Sequence, residues 1–262
     1  MEFSKAKRIV VKVGTSTLTH ATGLINIRRL EALVKVLADL KNSGYEVILV
    51  SSGAIAVGVG KLGLRERPSD IPGKQAAAAV GQCELMYLYD KYFSEYNHKV
   101  AQILMTGYTV DDHVSRENVC NTFEALLAMG AIPIVNENDT VATEEIKVGD
   151  NDTLSAIVAQ LTRAEALVIM SDIDGLYTAD PNTNPNATLV SEVDKIDGEL
   201  LALAGGAGTK RGTGGMITKL SAGRIATTAG TDMYIVNGSQ PEILYRLAEG
   251  ERVGTHFKAL KH

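Results

Sequence analysis

Short apolar runs rich in Val and Ile alternate along the chain with longer amphipathic stretches, the pattern of an open, mostly parallel β-sheet sandwiched between helices. The runs Ile9–Val13, Val47–Val50, Val100–Met105, Ala131–Val135, Leu167–Met170 and Met233–Val236 predict strands. Between the first two, Ile27, Leu30, Leu33, Val34, Leu37 and Leu40 fall on one face of a helix that Asn26 is placed to cap and Gly44 to end. Further helices are predicted over Gln75–Tyr92, Asn118–Met129, Thr153–Thr162, Met216–Ala229 and Pro241–Glu249. No internal repeat or low-complexity linker interrupts this α/β series.

Most of these strands run into small polar residues: Gly14-Thr15-Ser16, Ser51-Ser52-Gly53, Asn136-Glu137-Asn138-Asp139, Ser171-Asp172 and Asn237-Gly238-Ser239. Parallel strands end at one edge of an open sheet, and ligands bind in the crevice outside that edge. Candidate chemistry is therefore concentrated there.

Composition narrows the classes. The 262 residues carry 26 Lys and Arg against 31 Asp and Glu, a formal charge of −5, with a pI near 5.6. That balance gives no global electrostatic reason to bind nucleic acid or an anionic membrane. The N-terminus enters a strand without a signal-like apolar segment, and no run of about 18 apolar residues occurs, so a cytoplasmic protein is expected. Cys83 and Cys120 lack metal or redox spacing and lie in apolar helical sequence, which predicts core thiols. No histidine stands in a triad-like or metal-ligand motif, and Tyr87, Tyr89, Tyr92 and Tyr96 form a helix-spaced patch suited to packing or a subunit contact.

Four segments could carry chemistry. Lys12 lies inside the first strand, immediately before Gly14-Thr15-Ser16; it either faces solvent from an edge strand or brings its ammonium to an anion that the Gly14 backbone also approaches. Residues 204 to 215 hold six glycines and two positive charges ahead of the helix carrying Lys219, so they form either a phosphate cradle or a surface loop; no Walker A sequence is present. Gly58-x-Gly60-x-x-Gly63 matches the dinucleotide fingerprint but lies too far beyond its strand, and is read as a chance match. Asn136-Glu-Asn-Asp139 and Gly149-Asp-Asn-Asp152 suit a zwitterionic ligand, a metal or plain Asx turns, and Asp172 and Asp174 invite the same alternatives.

Together, Lys12-Val-Gly-Thr-Ser16, Ser51-Ser-Gly-Ala54, Asn136-Glu-Asn-Asp139, Lys147-Val-Gly-Asp-Asn-Asp152, Asp174-Gly-Leu-Tyr-Thr-Ala-Asp-Pro181 and Gly212-Thr-Gly-Gly-Met-Ile-Thr-Lys219 resemble the amino acid kinase family in order and spacing. Within that family they look like the branch that phosphorylates glutamate at the head of proline biosynthesis. The resemblance runs from about Ile9 to Phe257 and implies one amino acid kinase domain. It divides the chain into an amino-acid-binding lobe over about 1–165 and a nucleotide-binding lobe over about 166–262, with no C-terminal PUA domain.

It also implies ATP and Mg²⁺ as cofactors, with the metal ligands unassigned. Lys12 and Lys219 resemble the pair that neutralises the transferring phosphoryl group, and Asp152 the carboxylate that holds both. Ser52, Gly53, Asn138, Asp139, Asp150 and Asn151 resemble the L-glutamate site. Lys12, Gly14, Ser171, Asp172, Thr213, Gly214, Gly215, Met216, Ile217, Thr218 and Lys219 resemble the ATP site. Expected partners are a second copy of the chain in a dimer or tetramer, proline as feedback inhibitor, and glutamyl phosphate reductase. Alternatives are acetylglutamate or uridylate kinase chemistry within the family, a non-catalytic amino-acid or nucleotide sensor, and, on the misplaced glycines alone, nicotinamide binding.

Overall fold

Every predicted strand is present, and their order explains where the polar residues gather. The structure, a computed structural model, describes residues 3–20, 22–141, 150–181, 183–198, 200–201 and 215–260. Its strands are β1 (Arg8–Val13), β2 (Glu46–Val50), β3 (Val100–Met105), β4 (Ile132–Glu137), β5 (Ala166–Ser171), β6 (Glu192–Val193), β7 (Asp232–Asn237) and β8 (Thr255–Phe257). They form one sheet in the order β3-β4-β2-β1-β5-β7-β8-β6. From β3 to β7 every pairing is parallel. At one edge β8 runs antiparallel to β7 and carries β6 parallel to itself. Those two short strands have too few apolar residues to stand out in sequence.

The two-residue period of a strand divides the core into two faces. Ile9, Val11 and Val13 of β1 join Val47 and Leu49 of β2 and Val168 and Met170 of β5 in one cluster. Val10, Ile48, Val50, Leu167 and Ile169 point to the other. The first face is covered by α2 (Ile27–Asn42), α3 (Ala54–Leu62), α4 (Ile71–Ser94) and the short C-terminal helix α9 (Ile243–Ala248). The second is covered by α6 (His113–Ala128), α7 (Asn151–Leu161) and α8 (Met216–Thr228). Two short helices, α1 (Thr15–Leu18) and α5 (Gly107–Asp111), follow β1 and β3.

Local signals act as expected where the sequence carries them. The Asn26 side chain accepts from the Arg29 backbone N–H at 3.2 Å to start α2, and Gly44 follows its end at φ +105°. Asp70 and Asp112 cap α4 and α6 earlier than the apolar period alone suggests. Helix α3 lies outside the predicted elements, because Gly58 and Gly60 lower its helix propensity. Both serve close packing, Gly58 against α4 and Gly60 against the backbone of Gly23 and Leu24. A Cβ on Gly58 would lie 1.8 Å from the Ala77 carbonyl oxygen, and one on Gly81 of α4 would lie 1.8 Å from that of Ala54. The apparent dinucleotide fingerprint is thus a helix-packing surface.

The expectation of core thiols is corrected. Cys83 is exposed and Cys120 only half-buried. On α4 the buried stripe runs through Ala77, Ala78, Gly81, Leu85 and Tyr89, and Cys83 stands roughly 200° around the helix from Gly81. Of the tyrosines on this helix, Tyr89 and Tyr92 are core residues while Tyr87 is exposed.

Gly81→Ala distinguishes packing from propensity. Helix propensity alone would stabilise the protein by about 1 kcal/mol, whereas forcing α3 and α4 apart costs about 1–3 kcal/mol or more. The expected outcome in urea unfolding is net destabilisation.

Candidate active site

Lys12 occupies an even position of β1, in phase with Val10, so its side chain leaves the sheet on the face covered by α7 and α8. Asp150 caps α7 by accepting from the Thr153 backbone N–H at 2.8 Å, which places Asp152 in the first turn, where the helix dipole favours an anion. Gly215 precedes α8 and places Lys219 in its first turn. The three side chains meet: Lys12 Nζ is 2.7 Å from Asp152 Oδ1, and Lys219 Nζ is 3.1 Å from Oδ2. Thr218 Oγ1 stands 3.3 Å from the same Oδ2. Asp152 is 1% exposed, Lys219 5% and Lys12 8%. Burial pushes the Asp152 carboxyl up, but the two ammonium groups outweigh it and hold the carboxyl below its ordinary value. One anion between two cations leaves a buried surplus of positive charge, a place for a substrate anion.

This triad forms part of the wall of a cleft of about 450 Å³ at the carboxyl edge of the sheet. On one side lie Ser52, Gly53, Asn136, Glu137, Asp139, Asp150 and Asn151. Gly53 adopts φ +97°, a left-handed conformation that lets β2 turn directly into α3 and that favours glycine. The Asn151 Nδ2 group donates to the Ser51 carbonyl at 2.8 Å and to Ser52 Oγ at 2.8 Å, tying α7 to the end of β2. Burial pushes the Asp150 carboxyl up, and neighbouring Asp152 adds to the rise against the Thr153 N–H. On the other side lie Gly14, Thr15, Ser16, Met170, Ser171 and Asp172, with Ser171 Oγ donating to Asp172 Oδ1 at 3.1 Å.

Most residues singled out in the sequence therefore share one cleft. Asn138 does not line it; its backbone N–H donates to Met105 O and its side chain accepts from Thr140. Gly215, Met216 and Thr218 do not line it, although Thr218 reaches Asp152, and Ile217 is 48% exposed. Thr213 and Gly214 lie outside the described residues. Sequence reasoning named Asn136 and Glu137 only as part of a candidate polar segment, with no individual role, and left out Arg67. The first two were marked by their place at the end of β4. Arg67 comes from the connection between α3 and α4, and no periodicity announces it; among the described residues it has no carboxylate partner. The Asp174 carboxylate is engaged by Tyr177 and Asn237, in keeping with a turn role. His256 pairs with Asp232, away from the cleft.

The family profile described as the amino acid kinase family matches residues 7–237. The chain belongs to the amino acid kinase family. This kinase is 55% identical over 260 residues to the glutamate 5-kinase of Clostridium perfringens, covering 98% of the chain and 97% of that relative. It is likewise 55% identical to the glutamate 5-kinase of Listeria innocua, over 98% of the chain and 94% of the relative. Among solved structures, UMP kinase from Bacillus anthracis matches with a TM-score of 0.66 at 16% identity, over 98% of the chain and 97% of that protein. The isopentenyl phosphate kinase of T. acidophilum matches with a TM-score of 0.65 at 17% identity, over 96% and 100%. These two likenesses establish the kinase fold. Among the described residues no helix is long and apolar enough to cross a membrane.

Because the Asp152 carboxyl is depressed in the fold, its contribution to stability is present above its unfolded value of about 3.9 and is lost as pH falls through the lower folded value. Asp152→Asn leaves two buried ammonium groups unpaired and is expected to cost about 3 kcal/mol at neutral pH. The difference from the unsubstituted protein, read by urea unfolding, should narrow as pH falls below about 4; a difference independent of pH would contradict the pairing.

Proposed function

We propose that this kinase transfers the terminal phosphoryl group of ATP to the γ-carboxylate of L-glutamate, forming L-glutamyl 5-phosphate, the first step of proline biosynthesis. The observation that carries the reading is the buried surplus of positive charge of Lys12, Asp152 and Lys219, set in one cleft between the side of Ser52, Asp139 and Asn151 and the side of Gly14, Ser171 and Asp172. The identity of about 55% to glutamate 5-kinases over nearly their whole length supports the acceptor.

A glutamate γ-carboxylate, which ordinarily titrates near a pH of about 4.3, is already ionised at neutral pH. No general base is required. The obstacle is charge repulsion between two anions, and the protein's part is positioning and electrostatic stabilisation. Lys12 and Lys219 stabilise the transferring phosphoryl group, while Asp152 holds them in place. Asp139 takes the α-ammonium beside Ser52, Gly53, Asn151 and Asp150, and Gly14, Ser171, Asp172 and the segment around Lys219 take the nucleotide. The lobe division near residue 165 follows the same assignment.

The cleft lining holds Glu137, Asp139, Asp150, Asp152 and Asp172 against Lys12, Lys219 and Arg67. Such an acidic excess fits a divalent cation arriving with ATP. Among the described residues no cluster of three or more His, Cys, Asp or Glu could hold a metal alone. The groups that would hold such an ion are the phosphates of ATP and one or two carboxylates of this lining. When bound, the ion would neutralise phosphate charge. Proline as feedback inhibitor, a homo-oligomer and hand-over of the labile acyl phosphate to glutamyl phosphate reductase belong to the same reading.

The test is ATP- and Mg²⁺-dependent formation of γ-glutamyl hydroxamate from glutamate and hydroxylamine, with N-acetylglutamate and UMP as competing acceptors. Hydroxamate from glutamate alone is expected; ADP release only with another acceptor would overturn the substrate. Lys12→Ala and Lys219→Ala should each lower kcat by about 10²–10³-fold in folded protein. Asp139→Ala should chiefly raise the glutamate KM, by about tenfold, because it removes the partner of a charged donor.

A further inference from the structure

A relay of side-chain amides stands behind the amino-acid side of the cleft, and two backbone groups fix which way it points. The Glu137 N–H donates to Asn136 Oδ1 at 2.9 Å, so the oxygen end of Asn136 is determined. Its Nδ2 then donates to Gln82 Oε1 at 2.8 Å, and Gln82 Nε2 donates to Gln102 Oε1 at 3.0 Å. On the cleft side, the Ser51 carbonyl can only accept, which fixes Asn151 Nδ2 toward it at 2.8 Å. The same nitrogen faces Ser52 Oγ at 2.8 Å and Asn136 Oδ1 at 3.0 Å. Three acceptors surround two hydrogens, so Asn151 has no N–H left for a ligand. Among the described residues no donor reaches its Oδ1, and that atom is not among the buried ones left without a partner. Asn151 thus offers the cleft an acceptor.

We propose that Gln82, which does not itself line the cleft, is a positioning residue that holds Asn136, and through it Asn151, in the polarity set by the two backbone groups, and so favours the ammonium end of the substrate. Asn136 is 2% exposed, and its Nδ2 needs a partner. Gln82 Oε1 is that partner. With it in place, the Asn136 oxygen stays on Asn151, and the Asn151 oxygen is left for the cleft that Asp139 also lines. Two acceptors on that lining favour a primary ammonium and disfavour a carboxylate. Without it, Asn136 is left with an orphaned buried donor or must turn away from Asn151. The inference deepens the glutamate reading and rests on it for the identity of the ammonium.

The experiment compares Gln82→Leu, which removes the acceptor, with Gln82→Glu, which keeps an acceptor for Asn136 while exposed Gln102 can rotate to donate. Gln82→Leu is expected to raise the glutamate KM about tenfold, equivalent to about 1.4 kcal/mol, with kcat and the ATP KM little changed. Gln82→Glu should restore the glutamate KM to within about twofold. Glutarate, which keeps both carboxylates and lacks the ammonium, supplies the readout that general loosening would not move: the preference for glutamate over glutarate should fall about tenfold in Gln82→Leu. Gln82→Met, closer in volume, replaces Gln82→Leu if that variant does not fold. Equal KM values for the Leu and Glu variants, or equal weakening of glutamate and glutarate, would overturn the relay. Failure of the unsubstituted protein to phosphorylate glutamate would overturn the glutamate reading, and the Leu and Glu variants would then be compared on the acceptor it does use. An acceptor without an ammonium would overturn both.

Discussion

A carboxylate held out of water between two ammonium groups is the constraint on which the rest of the site depends. Removing three charges from solvent costs several kcal/mol each, and mutual attraction offsets that only when the groups are close and well placed. Asp152, Lys12 and Lys219 meet this condition because three elements bring them to one point: a central strand, the first turn of α7 and the first turn of α8. Helices α7 and α8 pack against each other, and their buried faces include the small residues Ala156 and Ala159 of α7 and Ala222 of α8. The helix dipole would disfavour Lys219 at its position were Asp152 not beside it. Stability is thereby tied to chemistry, since the same two ammonium groups that hold Asp152 also face the cleft that the substrate enters.

The two faces of the sheet contribute different parts. Lys12 lies in phase with Val10, so the charged centre belongs to the face of α7 and α8. Asn136 lies in phase with Ile132 and Ile134, so the amide relay belongs to the face of α4. They join at the carboxyl edge, where Asn151 at the start of α7 reaches across to Asn136 and to the end of β2. A rigid sheet thus sets the spacing between the phosphoryl-transfer point and the residues that grip the amino acid. For a reaction without a general base, spacing and charge are what the protein has to supply.

Much of this was legible in the chain. Apolar runs marked all six long strands, because a strand buried on both faces reads as a continuous Val and Ile stretch. Lys12 was conspicuous as a charge inside such a run, and the polar residues after β1, β2, β4 and β5 were visible by position. Other features gave no signal of their own. Helix α3 was hidden by Gly58 and Gly60, whose purpose depends on α4 lying against the first and the Gly23–Leu24 backbone against the second. Cys83 was misjudged because an apolar neighbourhood in sequence does not say which side of α4 faces the core. Gln82 and Arg67 come to the site from α4 and from the preceding connection, with nothing local to mark either.

By itself, the sequence determined the six long strands and the main helices other than α3, the alternation of faces along each strand and the edge at which chemistry gathers, since these follow from local periodicity and from residues adjacent in the chain. Only the tertiary structure decided that β1 lies between β2 and β5, that Asp152 contacts both lysines, and that the Asn151 amide turns its oxygen to the cleft. Each of those depends on groups far apart in sequence meeting at hydrogen-bond distance. Strand order and hydrogen-bond valence set such meetings, and periodicity does not encode them.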